Sequence, residues 1–248
     1  MGINVRTGEI IVCHAKAVIL ASGGTARFGL SGNSYLYGVY DCPSNTGDGY
    51  VMAYKAGAKL SGLEFTMCYY MIKDASSPLL YITLTRGAHL INALNERMDK
   101  DYPSARSIIN EHNRGFGYIR IRMSHLNNEQ IEAIEEILFT TEKPACERFF
   151  KGRGVDFRKS DIELGPTEFF LCGGHGNTGV MVDENAASSV PGLFVIGDTA
   201  NVGRGHLSAA FVFGEVSAEA AIDYIKGIDE PQVNSEGSLN SVFNKINS

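Results

Sequence analysis

Val190-Pro191-Gly192-Leu193-Phe194-Val195-Ile196-Gly197-Asp198 is the stretch on which the fold turns. Pro191-Gly192 marks a turn. The apolar run at 193–196 is short enough for a buried strand and too short for a helix. It stops at Gly197-Asp198, so the strand delivers an acidic residue at its carboxyl end. In open α/β sheets ligands lie beyond those ends, where an Asp can accept a hydrogen bond from a ribose or ribityl hydroxyl. The plainer alternative is a strand followed by a turn.

A second run of the same kind lies near the other end of the chain. Residues 15–22, AKAVILAS, are almost continuously apolar and stop at Gly23-Gly24. Apolar runs of this kind belong to strands buried on both faces, as in parallel sheets. A glycine there lets a backbone N–H approach a ligand oxygen, or it simply makes a tight turn. Upstream, the polar run 6–9 has turn character and 10–13 reads as a strand. Thr46-Gly47-Asp48-Gly49 follows a Ser-, Asn- and Pro-rich loop and opens a helix over 50–56 that Gly57 ends. The N-terminus of such a helix favours an anion or a polar ligand edge. Alternatively, Thr46 or Asp48 is an ordinary cap.

Gly203-Arg204-Gly205-His206-Leu207-Ser208 precedes an Ala-rich helix predicted over about 208–225. The positive end of that helix would stabilise negative charge, such as that on a reduced flavin ring. A glycine loop with a Ser cap is the simpler account. Gly174-His175-Gly176-Asn177-Thr178-Gly179 matches G-x-G-x-x-G, but a true dinucleotide fingerprint follows a strand and opens a helix. Here Val180-Met181-Val182-Asp183 reads as a strand, so the match is rejected. His175 in that turn is either a proton shuttle or a turn residue bonded to backbone.

Between the glycine-ended segments, roughly 63–165 has a different texture. Helices are predicted over 104–113 and 128–139, and strands over 163–172 and 179–183. This pattern predicts an α/β fold in which one discontinuous domain, 1–62 plus 166–228, carries a second, α+β domain at 63–165. The polar segment 229–248 is expected to be a flexible tail.

Composition sets further limits. The chain has 248 residues, 44% hydrophobic and 20% charged, as in ordinary globular proteins. A net charge of -6 argues against a nucleic-acid surface. The 28 glycines exceed the usual ~7%, and their clustering suggests backbone approach to a ligand. Five cysteines, an odd number with no Cys-x-x-Cys pair, fit a reducing, cytoplasmic setting and argue against a metal site. No apolar run reaches the ~18–20 residues of a membrane span, and no signal peptide is visible.

Taken in order, AKAVILASGGTARFG, NTGDGYVMAYKAGAKLSGLEF and PTEFFLCGGHGNTGVMVDENAASSVPGLFVIGDTAN resemble the FAD-binding flavoprotein subunits of succinate dehydrogenase and fumarate reductase. The resemblance runs over roughly 5–226. It implies FAD as cofactor, a glutathione-reductase-like FAD/NAD(P)-binding domain with an inserted capping domain, and redox chemistry at flavin N5. Carried over, it implies FAD contacts at Ser22, Gly23, Gly24, Thr46, Asp48, Gly197, Asp198, His206, Leu207 and Ser208. The family's opening strand, G-x-G-x-x-G turn and helix find no match upstream of Ala15. The dinucleotide-binding start is therefore expected to be missing and the domain partial. An alternative follows: a non-catalytic fragment that needs a partner chain to supply that half. An electron-transfer subunit, holding the chain at the membrane periphery, is a second partner that the resemblance implies.

The substrate side departs from the family. Its two histidines fall near Tyr69 and on Phe169, and Asp101-Tyr102-Pro103 stands where its proton-donating arginine is expected. This argues for a different small anionic substrate, closer to that of adenylylsulfate reductase or another flavin oxidoreductase. Arg86, Arg106, Arg204 and His206 are the candidates for catalysis and for holding that anion, since carboxylates need cations and an acid. Each Arg has a plain reading as a surface residue.

Overall fold

The computed structural model describes residues 2–25, 45–64, 66–67, 70–75, 77, 79–98, 105–166, 170–171, 178–203 and 206–229. In chain order the elements are β1 (Gly2–Ile3), β2 (Ile10–Ile11), β3 (Val18–Leu20), α1 (Asp48–Lys55), β4 (Leu60–Ser61), β5 (Thr66–Met67), β6 (Tyr70–Ile72), α2 (Leu80–Leu84), β7 (His89–Ile91) and α3 (Ala105–Glu111). There follow β8 (Ile119–Arg122), α4 (Asn128–Glu136), α5 (Ala145–Gly152), β9 (Ile162–Pro166), β10 (Phe170–Leu171), β11 (Gly179–Val180), β12 (Leu193–Val195) and α6 (His206–Lys226). The fold is mixed α/β. The chain divides into two compact units. Met1–Gly24, Gly47–Phe65 and Gly174–Ser248 form the first, and Thr25–Thr46 with Thr66–Gly173 form the second.

In the first unit the two apolar runs meet. β12 pairs with β3 in parallel, with Leu193 opposite Val18, Phe194 opposite Ile19 and Val195 opposite Leu20. β4 and β11 pair antiparallel, and β1 and β2 form a hairpin around the predicted turn. Their shared core is small, built from Ala53, Ala58, Val180, Val195 and Ala200. Small side chains let α1 lie close to the strands. α6 packs along β12, where Phe194 meets Tyr224 edge-on at 6.0 Å. Helix α1 begins at Asp48, but Gly47 occupies its N-cap without a side-chain hydrogen bond. The expected capping by Thr46 or Asp48 is thereby corrected.

The second unit holds the larger core. Its sheet runs β6-β9-β8-β7, antiparallel throughout. β8 shows the alternation that a sheet with one solvated face demands. Ile119 and Ile121 are buried, while Arg120 and Arg122 point the other way. Asp161 holds both arginines. It accepts from Arg122 Nε at 3.0 Å and Nη2 at 2.8 Å, and from Arg120 Nη1 at 3.3 Å. On the buried face, α4 contributes Ile131 and Ile134, and Phe150 and Phe157 pack edge-on at 5.0 Å. α4 starts as a capping box: Asn127 Oδ1 accepts from Gln130 N and Gln130 Oε1 from Asn127 N.

Two outcomes follow from this unit. Ile121 is fully buried in the middle of β8, so Ile121→Ala should cost about 2–5 kcal/mol in urea unfolding. The Asp156 carboxylate is held below the usual range, chiefly because it accepts the Arg158 backbone N–H, at 2.9 Å. Its contribution to stability is therefore present above the ordinary Asp value of about 4 and lost as pH falls through the lowered value. Asp156→Asn should flatten the acid limb of a stability-against-pH curve measured by denaturation, and an unchanged limb would contradict this.

Candidate functional site

The site is built where β3 and β12 end. Val18 N donates to Gly192 O at 2.8 Å and Ile196 N to Leu20 O at 3.1 Å, so the parallel register carries to the last residue of each strand. Beyond the strands the chain turns at Gly23, with φ +78°, and at Gly197, with φ +59°. Only glycine takes those angles without strain. Among the described residues a Cβ at Gly23 would meet nothing within 4 Å, so its backbone is bare of them. At Gly197 a Cβ would lie 3.7 Å from Ala210 Cβ, which places α6 against the turn.

The turn Gly197–Thr199 is fixed from two sides. Tyr50, buried in α1, donates its hydroxyl to Asp198 O at 3.1 Å and lies 3.5 Å from Thr178 Oγ1. Thr199, fully buried, donates to Gly23 O at 3.0 Å, and its Oγ1 lies 3.3 Å from Ser22 Oγ. The start of α1 abuts the same point, because a Cβ at Gly49 would land on Ser22 Oγ. A Cβ at Gly24 would sit 3.5 Å from Asp198 Cβ and 3.9 Å from Tyr50 Oη. Three segments distant in sequence converge within van der Waals reach.

Ser22, Gly23, Gly24, Gly197 and Asp198 are thus brought together, with Asp48 at the start of α1 beside them. Leu207 and Ser208 are exposed on the first turn of α6, and His206 is its first residue. Thr46 falls in the second unit, bridged to Thr25. Of the proposed anion ligands, Arg86 closes α2 in the second unit. Its Nη1 donates to Ile82 O at 2.9 Å and to Thr85 Oγ1 at 3.4 Å. Arg106 lies on α3 in the same unit. Arg204, Tyr69, Phe169, His175 and segment 229–248 beyond Asp229 lie outside the described residues, as do the side chains of Arg106 and His206.

The rejected glycine motif does lead into a strand, β11. Its last glycine has a packing reason, since a Cβ at Gly179 would collide with Thr199 O. Tyr50, Thr178 and Thr199 were not singled out by sequence reading. The only signal for Thr199 was its place directly after Gly197-Asp198. Among the described residues no cluster of three or more His, Cys, Asp or Glu could hold a metal, and no helix is long and apolar enough to cross a membrane.

A family model described as FAD binding domain matches residues 1–209. The chain belongs to the FAD binding domain family. It is 31% identical over 232 residues to the L-aspartate oxidase of Bacillus subtilis, covering 87% of this chain and 40% of that protein. It is 28% identical over 274 residues to the succinate dehydrogenase flavoprotein subunit of Rickettsia conorii, covering 98% of this chain and 44% of that one. Adenylylsulfate reductase from Archaeoglobus fulgidus has the same fold, with a TM-score of 0.73 at 20% identity over 92% of this chain and 43% of that chain. The chain spans less than half the length of these relatives.

This FAD binding domain protein overturns one expectation. The dinucleotide-binding domain is not missing, because the family match runs over 1–209. The expectation rested on finding no opening strand, G-x-G-x-x-G turn and helix upstream of Ala15, whereas the match begins at residue 1 and takes in both β3 and β12. The inferred need for a partner chain that supplies a missing half loses its basis. The residues present fit FAD. Glycine backbone lies bare at the end of β3, with the hydroxyl groups of Ser22 and Thr199 and the Asp198 of the β12 turn beside it, as a dinucleotide edge requires.

Gly49 tests that fit. Gly→Ala in a helix ordinarily stabilises by about 1 kcal/mol. Here the new methyl must displace Ser22 Oγ and press on Thr199 Cγ2 at 3.0 Å. Gly49→Ala should give no gain in thermal midpoint and weaken FAD binding about tenfold, roughly 1.4 kcal/mol, as read by quenching of flavin fluorescence.

Proposed function

We propose that this chain is the FAD-binding part of an oxidoreductase of the succinate dehydrogenase/fumarate reductase type, with a glutathione-reductase-like cofactor domain and a small anionic substrate. The observation that carries the reading is the convergence of Ser22–Gly24, the start of α1 and Gly197–Thr199 at the carboxyl ends of β3 and β12. Bound FAD supplies two-electron chemistry that amino-acid side chains lack. The chain's own residues bind and orient it. Gly23 and Gly197 offer backbone at close range. Asp198 would accept from a cofactor hydroxyl, and Ser22 and Asp48 would flank it. The first turn of α6, His206 to Ser208, would offer its positive end to the redox-active ring.

The names of the similar proteins, L-aspartate oxidase and succinate dehydrogenase, share a dicarboxylate. Arg86, Arg106, Arg204 and His206 are assigned to the anion. Arg86 has five N–H donors, and among the described residues those on Nη1 are engaged by Ile82 and Thr85. The second unit, which carries Arg86 and Arg106, is assigned the role of substrate domain.

The chain purified with FAD should keep a visible flavin spectrum through gel filtration, and dithionite should bleach it. Succinate, fumarate and L-aspartate are then the first substrates to assay. Replacing each of the four cations by Ala should lower turnover by at least tenfold for one or more of them while FAD stays bound. Unchanged turnover in all four variants would defeat the anion assignment.

A further inference from the structure

Counting protons at the strand ends points to a residue with no assigned part. Thr199 has one hydroxyl proton, and it goes to Gly23 O at 3.0 Å. The 3.3 Å contact between Thr199 Oγ1 and Ser22 Oγ must then use the proton of Ser22. The chain of bonds runs one way, from Ser22 Oγ–H to Thr199 Oγ1, and from Thr199 Oγ1–H to Gly23 O. Ser22 itself is exposed. An exposed serine hydroxyl ordinarily rotates in water, and folding gains little by fixing it. Here a fully buried threonine holds both its rotamer and its proton, while Gly49 leaves room for the oxygen.

We propose that Thr199 is the positioning residue of the FAD cradle, locking Ser22 so that its Oγ faces the cofactor with lone pairs only and accepts a hydrogen bond from a cofactor N–H or O–H. The inference rests on the FAD site assigned above and specifies the polarity of one of its contacts. Because Ser22 is already immobilised, binding loses little rotamer entropy there. The same bond to Gly23 O fixes the peptide that follows Gly23.

The test measures FAD dissociation constants, by fluorescence quenching, for the wild-type chain and for Ser22→Ala, Thr199→Val, Thr199→Ser and the Ser22→Ala/Thr199→Val double variant. Thermal midpoints of the FAD-free proteins are measured in parallel. Val keeps the shape of Thr and removes the hydroxyl. Ser keeps the hydroxyl. Ser22→Ala and Thr199→Val should each weaken binding about tenfold, and the double variant no further, because the two act as one unit. Thr199→Ser should stay within about twofold of wild type, and Ser22→Ala should leave the FAD-free midpoint unchanged. Wild-type affinity in Thr199→Val, or a double variant weakened about a hundredfold, overturns the inference. If Thr199→Val does not fold, Ser22→Ala decides: wild-type affinity there overturns the inference equally. A wild-type chain that itself retains no FAD overturns the assigned site and this inference together, a failure visible before any variant is compared.

Discussion

The structure of the first unit depends on one pairing, the parallel ladder between Val18–Leu20 and Leu193–Val195. Each strand is only three residues long. Neither would hold alone, since isolated short strands gain too few hydrogen bonds to offset their ordering. Together they align the two carboxyl ends, so that the turns at Gly23 and Gly197 lie side by side. Everything at the candidate site is an attachment to that alignment. Thr199 ties one turn to the other, Tyr50 ties α1 to the second turn, and α6 backs it from behind.

The composition of this unit follows from the same need. Backbone can approach backbone only where side chains are small. Hence Ala53, Ala58 and Ala200 form much of the core, and Gly49 and Gly179 stand where a methyl would strike Ser22 or Thr199. The second unit has no such constraint, and its interior is filled with Ile, Leu and Phe. One half of the molecule is shaped for proximity of main chain, the other for burial of side chains.

Much of this was legible in the sequence. Residues 15–24 and 190–198 announce short strands ending in glycine, because apolar runs of that length have few other uses, although the burial expected of the first fails at Val18 and Ile19. Helix α6 was placed to within two residues, and the rejected G-x-G-x-x-G does open onto a strand. What was not legible is contact without period. Nothing in the local sequence says that Tyr50 reaches the carbonyl of Asp198 or that Thr199 reaches Gly23, since neither repeats along an element. The cap of α1 was misjudged because Thr46 and Asp48 have the right chemistry, while Gly47 takes the position through its φ of +85°. The absence of a fingerprint upstream of Ala15 was read as a missing start and a partial domain, whereas the family match runs over 1–209.

The order in which the chain is made bears on the β3–β12 ladder. Synthesis runs from the amino end, and domains fold as their residues emerge. β3 therefore leaves the ribosome with its partner still unmade, and waits while the whole second unit is translated. That unit can close its four-stranded sheet in the meantime, once β9 is made to pair with β6 and β8. Val18 and Ile19 remain half-exposed even when paired, so the nascent chain carries a bare apolar edge until β12 is made. A strand that must wait is open to mispairing with other chains, so the exposure during synthesis falls on β3 rather than on the larger core of the second unit.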